Sequence, residues 1–85
     1  MKHNAEFSEE FVKAVNALDP SVKETVAKRI QKILSTPATG KPLGNGVFRE
    51  RVLVYRIIYG FNPRNQIIRF LTFGKRDSVY RNIQV

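Results

Sequence analysis

The run FRERVLVYRIIY, at positions 48–59, combines the composition of a buried strand with three arginines. Eight of its twelve residues are β-branched, aromatic or aliphatic, the types that strands favour. Strand side chains alternate between faces, so on one unbroken strand Arg49 and Arg51 would share a face and Arg56 would take the other. A turn near 52–54 resets this alternation. We therefore predict a hairpin on which all three arginines meet on one face.

The first part of the chain carries helix signals. Ser8, followed by two glutamates, is typical of a helix start, because serine caps free N–H groups and acids complement the helix dipole. Asp19 and Pro20 mark a second start, with Asp as the cap and Pro at the first helical position. Residues 8–35 are therefore predicted to form two helices. Their apolar stripes comprise Phe11, Ala14, Val15, Leu18, Val22, Val26, Ile30, Ile33 and Leu34.

The rest of the chain predicts a loop and three strands. Residues 35–46 contain two prolines and three glycines and cannot continue a helix. Strand-like runs follow at 47–52, 54–61 and 66–73, with a turn at 62–65. The N-terminal KHNAEF segment alternates weakly and is a candidate short strand. The order strand, helix, helix and three strands of an antiparallel meander predicts an α+β fold, a sheet layered against helices. The hairpin face predicted to rest on the helices carries Phe48, Tyr55, Ile57 and Tyr59.

Positive charge is concentrated in the second half. The chain has a formal net charge of +8. Residues 1–46 hold seven Lys/Arg against five acids, whereas residues 47–85 hold eight against two, and seven of those eight are arginines. Arginine binds phosphate at two points and stacks on bases. A polyanionic partner is therefore favoured over a merely solubilising surface, which would mix the two signs.

Missing residue types exclude several classes of protein. The chain has no cysteine, so it can form neither a disulfide nor a thiolate metal site. Its single histidine, His3, excludes a histidine metal cluster and is predicted to be an exposed residue without function. No apolar run suits a signal peptide or a membrane span. With 85 residues we expect one domain, 1–85, in a soluble cytoplasmic protein that uses no metal or cofactor.

The ordered segments LDP, GKPL, FRERVLVYRIIY and FGKRDSVY span almost the whole chain. Together they resemble the RelE/ParE superfamily of type II toxin–antitoxin toxins, and within it the RelE branch. The resemblance implies a small twisted antiparallel sheet packed on two N-terminal helices. It also implies a toxin that is a ribosome-dependent mRNA endoribonuclease, or mRNA interferase, and that inhibits translation by cutting mRNA in the A site. The implied partners are a cognate acidic RelB-like antitoxin, the ribosome and mRNA.

The resemblance further implies a catalytic surface of basic residues on the sheet and an aromatic residue near the C-terminus. The positions that match the family's site are Arg49, Arg51, Arg56, Lys75, Arg76 and Tyr80. All of these except Lys75 are expected to be catalytic. Lys75 and the loop residue Lys41 are expected to bind RNA.

Metal-independent attack of an RNA 2′-OH on the scissile phosphate requires loss of a proton and stabilisation of charge on phosphorus. Crowded cations can favour the ionised hydroxyl. Arginine itself is not expected to act as the base, because its very high pKa keeps it protonated. We assign Arg56 and Arg76 to transition-state stabilisation, and Arg49 and Arg51 to holding the scissile phosphate. Tyr80 would stack on a base or orient the 2′-OH.

Simpler explanations remain open for some of these residues. Arg49 and Arg51 could be ordinary exposed strand positions, Tyr80 a core aromatic residue, and Lys41 a solvated loop lysine. Arg69, inside the last strand, is predicted to be an ion-pair partner, with Glu50 as the candidate acid.

Departures from the family pattern in the predicted hairpin keep other functions open. The hairpin turn, commonly Val-Gly-Asp, is Val52-Leu53-Val54 here and lacks a turn former. Position 51 carries arginine where relatives often have lysine, which removes the best general-base candidate. The alternatives are a ParE-like DNA gyrase inhibitor without nuclease activity, or an inactive RNA-binding member of the family.

Overall fold

The computed structural model describes residues 3–75, and within them two α-helices pack on one face of a five-stranded sheet. This is the predicted α+β fold class. The candidates Arg76 and Tyr80 lie outside the described residues. The elements are β1 (Asn4–Phe7), α1 (Glu9–Asn16), α2 (Pro20–Ser35), β2 (Lys41–Gly44), β3 (Val47–Val52), β4 (Tyr55–Asn62) and β5 (Ile67–Lys75).

Both predicted helix starts occur, but only the first is capped by its side chain. The Ser8 hydroxyl accepts a hydrogen bond from the Phe11 N–H at 3.0 Å and donates one to the Leu71 carbonyl at 2.8 Å. The same side chain therefore caps α1 and ties it to β5. Asp19 precedes Pro20 at the start of α2, but its side chain makes no capping hydrogen bond, contrary to the prediction.

The core lies between the helices and the sheet. Every residue of the predicted helical stripes belongs to it or packs against it. The hairpin side chains Phe48, Tyr55, Ile57 and Tyr59 do so as well, which confirms the face predicted to rest on the helices. The buried apolar residues of the core are Phe11, Val26, Ile33, Leu34, Val52, Ile57, Tyr59, Ile68, Phe70 and Phe73.

The strand order is β1-β5-β4-β3-β2. Strands β3, β4 and β5 form the predicted antiparallel meander. The candidate N-terminal strand also forms, but it pairs parallel with β5 at the edge of the sheet. The sheet is therefore mixed, with one parallel pair among the described strands.

Part of the segment predicted as a loop, 35–46, is a strand. Strand β2 pairs antiparallel with β3 through a two-residue turn, in which Asn45 and Gly46 have φ of 55° and 76°. Asn-Gly favours the type I′ hairpin turn, which needs positive φ at both positions. The sequence thus contained a hairpin signal that the loop prediction missed. A short 3₁₀ turn, Pro37–Thr39, joins α2 to β2.

Tyr59 anchors the 3₁₀ turn between α2 and β2 to the sheet. Its buried hydroxyl donates a hydrogen bond to the Pro37 carbonyl at 2.6 Å. A Cβ at Gly40 would collide with that hydroxyl and lie 3.0 Å from the Arg49 carbonyl, so only glycine fits here. Burial, followed by the nearby charge of Glu50, raises the pKa of Tyr59 to about 12. The phenol therefore stays protonated at neutral pH and acts as a structural donor.

Candidate nucleic-acid interface

Three arginines lie on the face of the sheet opposite the helices. Arg51 pairs with Arg56 across the β3–β4 hairpin, and Arg49 pairs with Ile58. Residues directly opposite each other in a sheet point to the same face, and the alternate positions of this hairpin lie in the core. The prediction that the three arginines share a face is confirmed. We call this side of the sheet, opposite the two helices, the open face, although Arg56, Ile58 and Thr72 at its centre are buried.

Lys41 joins these arginines. It begins β2 and pairs with Arg49, so its prediction as a loop residue was wrong. Lys41, Arg49 and Ile58 form one row across the open face, and Arg51 with Arg56 forms the next. We call Lys41, Arg49, Arg51 and Arg56 the basic cluster.

Lys75 lies apart from the basic cluster. It ends β5 and pairs with Tyr55, so the register directs its side chain to the helix-covered side. Its neighbour Gly74 is the residue that pairs with Arg56 on the open face. The proposed binding of RNA by Lys75 remains a prediction, and the structure does not bring this residue together with the arginines.

Arg56 is the most buried member of the basic cluster, with 8% of its surface exposed. Its Nη1 donates to the Tyr55 carbonyl at 3.3 Å, while its buried Nε–H has no hydrogen-bond partner among the residues that the structure describes. Within residues 3–75, no ion pair involves Arg56 or the opposing Arg51. Like charges opposite one another destabilise a sheet, and a buried charge without a partner is costly. Both effects favour an anion bound at this position.

The acid nearest in sequence, Glu50, is turned to the helix side and is neutralised there. Its carboxylate accepts a hydrogen bond from Arg29 Nη1 at 2.7 Å and lies 3.6 Å from Lys32 Nζ. Arg29 Nη1 also donates to the Arg51 carbonyl at 2.7 Å. The cations of helix α2 thus neutralise Glu50, and Arg29 anchors the backbone of β3 at Arg51.

Two other polar residues differ from their predictions. Arg69 is an ion-pair partner, but its Nε contacts the Glu6 carboxylate at 3.0 Å, because Glu50 lies on the opposite face of the sheet. His3 is half-buried instead of exposed, and its Nδ1 lies 3.0 Å from the Leu34 carbonyl oxygen.

Among residues 3–75, the ionisable side chains that the register places on the open face are cations, apart from the Glu6 carboxylate that Arg69 binds. No group of His, Cys, Asp and Glu in this part of the chain could hold a metal ion. None of its helices is long and apolar enough to cross a membrane. The chemistry available on this face is therefore electrostatic binding of an anion.

The fold can be compared with proteins of known structure. No protein-family model and no curated protein sequence matches the chain. The archaeal RelE–RelB complex from Pyrococcus horikoshii OT3 contains a chain that superimposes with a TM-score of 0.78 at 21% identity, covering 91% of this chain and 98% of that one. A mutant of the E. coli toxin RelE in the free state gives 0.78 at 20% identity, with coverages of 95% and 93%.

A third structure, the RelBE2 toxin–antitoxin complex from Mycobacterium tuberculosis, gives a TM-score of 0.76 at 21% identity, covering 89% of this chain and 100% of that one. These coverages leave little of either chain unmatched. The protein therefore has the fold of the RelE toxins.

Proposed function

We propose that this protein is the toxin of a type II toxin–antitoxin system and that it cleaves ribosome-bound mRNA. The observation that carries the proposal is the Arg51–Arg56 pair on the open face of a RelE fold. An exposed arginine and a buried one oppose each other with no counter-ion among residues 3–75. An RNA phosphodiester supplies the missing negative charge, and guanidinium groups match its geometry.

The proposed reaction is attack of an RNA 2′-OH on the adjacent phosphorus. The P–O5′ bond breaks and the leaving 5′-oxygen takes a proton from solvent, which gives a 2′,3′-cyclic phosphate and a 5′-hydroxyl. Arg56 stabilises the charge that builds up on the phosphorane, since its donors are already held in place by burial. Arg49 and Arg51 hold the scissile phosphate. Arg76 and Tyr80 keep their predicted roles as a second stabilising cation and as a base-stacking or 2′-OH-orienting group.

Clustered cations favour ionisation of the 2′-OH, so the proton can leave to solvent or to an RNA group. Lys41 and Lys75 add contacts to the RNA backbone. No metal or cofactor is part of this mechanism, and the site of action is the cytoplasm, where translating ribosomes are found.

An acidic antitoxin is the second proposed partner. Several of the similar structures are RelE–RelB or RelBE complexes. With a net charge of +8, this chain has strong electrostatic attraction for an acidic protein. We propose that a RelB-like antitoxin covers the basic surface and keeps the toxin inactive until it is removed.

The test measures cleavage of mRNA on purified ribosomes under single-turnover conditions. Arg56→Ala is expected to lower the cleavage rate by roughly a hundredfold, the usual effect of losing one preorganised electrostatic donor. Its effect on ribosome affinity should be smaller, because several cations share contact with the polyanion. Lys28→Ala is the matched control, because Lys28 is 79% exposed on α2 and its removal changes the net charge equally.

Three outcomes would oppose the proposal. Loss of affinity with an unchanged rate in the bound state would make Arg56 a binding residue. Binding of RNA without cleavage by the unmodified chain would indicate an inactive family member. Inhibition of DNA gyrase supercoiling without any cleavage of mRNA would support the ParE-like alternative.

A further inference from the structure

A second feature of the open face lies at the opposite end from the Arg51–Arg56 pair. It is a groove of about 480 Å³, a size suited to a small ligand. It lies between the β2–β3 turn and the β4–β5 turn. Its lining includes Asn45, Gly46, Gly60, Asn62, Asn65, Arg69 and Leu71. We infer that this groove is a subsite for one unstacked base of a single-stranded RNA.

The groove is continuous with the basic cluster. Gly60 pairs with Val47 in the row next to that of Arg49 and Ile58, on the same face. Along β4, Gly60 is four residues from Arg56, which is about 13 Å at about 3.3 Å per residue. An RNA strand whose phosphate lies on the arginines can therefore place a neighbouring nucleotide in the groove.

The charge of the groove suits a base better than a phosphate. Of the described lining residues only Arg69 is ionisable, and it already binds the Glu6 carboxylate at 3.0 Å. In the described strands β2, β3 and β4, by contrast, no acid shares the open face with the basic cluster. Phosphates are therefore attracted to the cluster, and the uncharged part of a nucleotide fits beyond it.

The lining provides a flat surface and hydrogen-bond donors. Gly60 has no side chain, and Leu71 at its side is partly exposed, so a base can lie against them. The Oδ1 atoms of Asn62 and Asn65 accept the N–H groups of Arg64 and Ile67 at 3.0 and 3.1 Å. Each amide then has its NH₂ group available for a carbonyl oxygen of a base, and uracil offers two such oxygens.

Gly60 also allows the groove to be filled without disturbing the fold. A Cβ at this position would meet only ordinary contacts, with the Gly46 carbonyl oxygen at 3.8 Å and Leu71 Cδ1 at 4.0 Å. Gly60→Ala should therefore fold normally, and Gly60→Val should occupy the groove while favouring the strand. Ala5→Val is the matched control, because it adds a β-branched side chain on the edge strand β1, outside the groove.

The experiment titrates the isotope-labelled full-length chain with a short uridine oligonucleotide and with an abasic oligonucleotide of equal length, monitored by NMR. Uridine RNA is expected to shift the backbone amides of Gly46, Gly60 and the basic cluster, whereas the abasic strand shifts only the cluster. Gly60→Val should weaken binding of uridine RNA by about tenfold, the scale of one stacked base, and leave abasic binding unchanged. Ala5→Val should bind both strands like the unmodified chain.

Equal shifts from the two strands, or unchanged uridine binding by Gly60→Val, would overturn the inference. A third result would also overturn it: RNA causes no shift at Gly46 and Gly60, but Gly60→Val prevents copurification with an acidic protein. The inference rests on the proposed function only in taking RNA as the ligand. Failure to cleave ribosome-bound mRNA would reject the proposed nuclease activity. The RNA titration would still decide whether the groove binds a base. Cleavage without shifts at Gly46 and Gly60 would reject only the groove.

Discussion

Replacing Glu50 by alanine tests whether the helix-side ion pair holds the sheet together beneath the basic cluster. Glu50 is 8% exposed, and its carboxylate lies 2.7 Å from Arg29 Nη1 and 3.6 Å from Lys32 Nζ. The substitution removes one short charged hydrogen bond and a second, longer attraction. It leaves two cations on α2 without their shared acid.

The expected cost follows from the exposure of those cations. Breaking a fully buried ion pair costs about 3–5 kcal/mol, because the remaining charge has no solvent. The side chains of Arg29 and Lys32 are 35% and 54% exposed, so both can rehydrate. Arg29 also keeps its bond to the Arg51 carbonyl. We therefore expect Glu50→Ala to lower the free energy of unfolding by about 2 kcal/mol, the scale of one hydrogen bond to a charged group.

Urea unfolding of the full chain measures this effect, and the same helix supplies a control. Glu24 and Lys28 pair at 3.7 Å with side chains 72% and 79% exposed. Glu24→Ala should change stability by less than about 0.5 kcal/mol, as exposed pairs usually do. A double-mutant cycle between Glu50→Ala and Arg29→Ala should give a coupling of about 1–2 kcal/mol.

A Glu50→Ala variant no less stable than Glu24→Ala would refute this reasoning. It would mean that the desolvation of the carboxylate cancels its attraction to α2, as happens for some buried pairs. A coupling near zero with Arg29 would place any lost stability elsewhere, for example in packing beneath β3.

Two further substitutions test local features of the sheet. The pKa of Tyr59 is raised from 10.0 to about 12 by burial and by the charge of Glu50, so the unfolded chain releases this proton at lower pH than the folded one. Stability measured by urea unfolding should therefore fall as the pH rises from about 10 to 12, and Tyr59→Phe should lack this component of the fall. Leu53, 57% exposed, has φ of 56°, which costs a non-glycine residue about 1–2 kcal/mol. Leu53→Gly should raise stability by about 0.5–1 kcal/mol after the entropy cost of glycine, whereas Val54→Gly should not; equal effects of the two would remove strain as the explanation.

Alternation along strands explains why the central hairpin could be predicted. Two-residue periodicity fixes the face of each side chain once a turn is placed, so the position of the turn between Val52 and Tyr55 put Arg51 and Arg56 together. Helical spacing predicted the helix side of the core equally well. Val26 and Ile33 lie on the apolar stripe of α2, and both are buried where that stripe packs against the sheet.

Pairing between distant segments could not be read from local patterns. Nothing within Asn4–Phe7 indicates that this strand runs parallel to β5, because its partner lies more than sixty residues away. The same is true of Arg69, whose acid came from β1 instead of β3. Strand β2 is a different case, because the Asn45-Gly46 signal was present and was outweighed by the prolines and glycines around it.

The charge distribution across β3 ties the fold to the proposed chemistry. Glu50 stands between two arginines in sequence. In the unfolded chain its carboxylate would be close enough to neutralise either of them. The pleat sends it to the opposite face, and the cations of α2 bind it there. Strand alternation alone would keep Arg49 and Arg51 on the open face whatever residue stood at position 50. An acid at that position also pairs with the cations Arg29 and Lys32 of α2, so its own charge is neutralised beside the core. The strand thus separates Glu50 from its neighbouring arginines: the acid pairs with α2, and the arginines lie on the face where we propose that RNA binds.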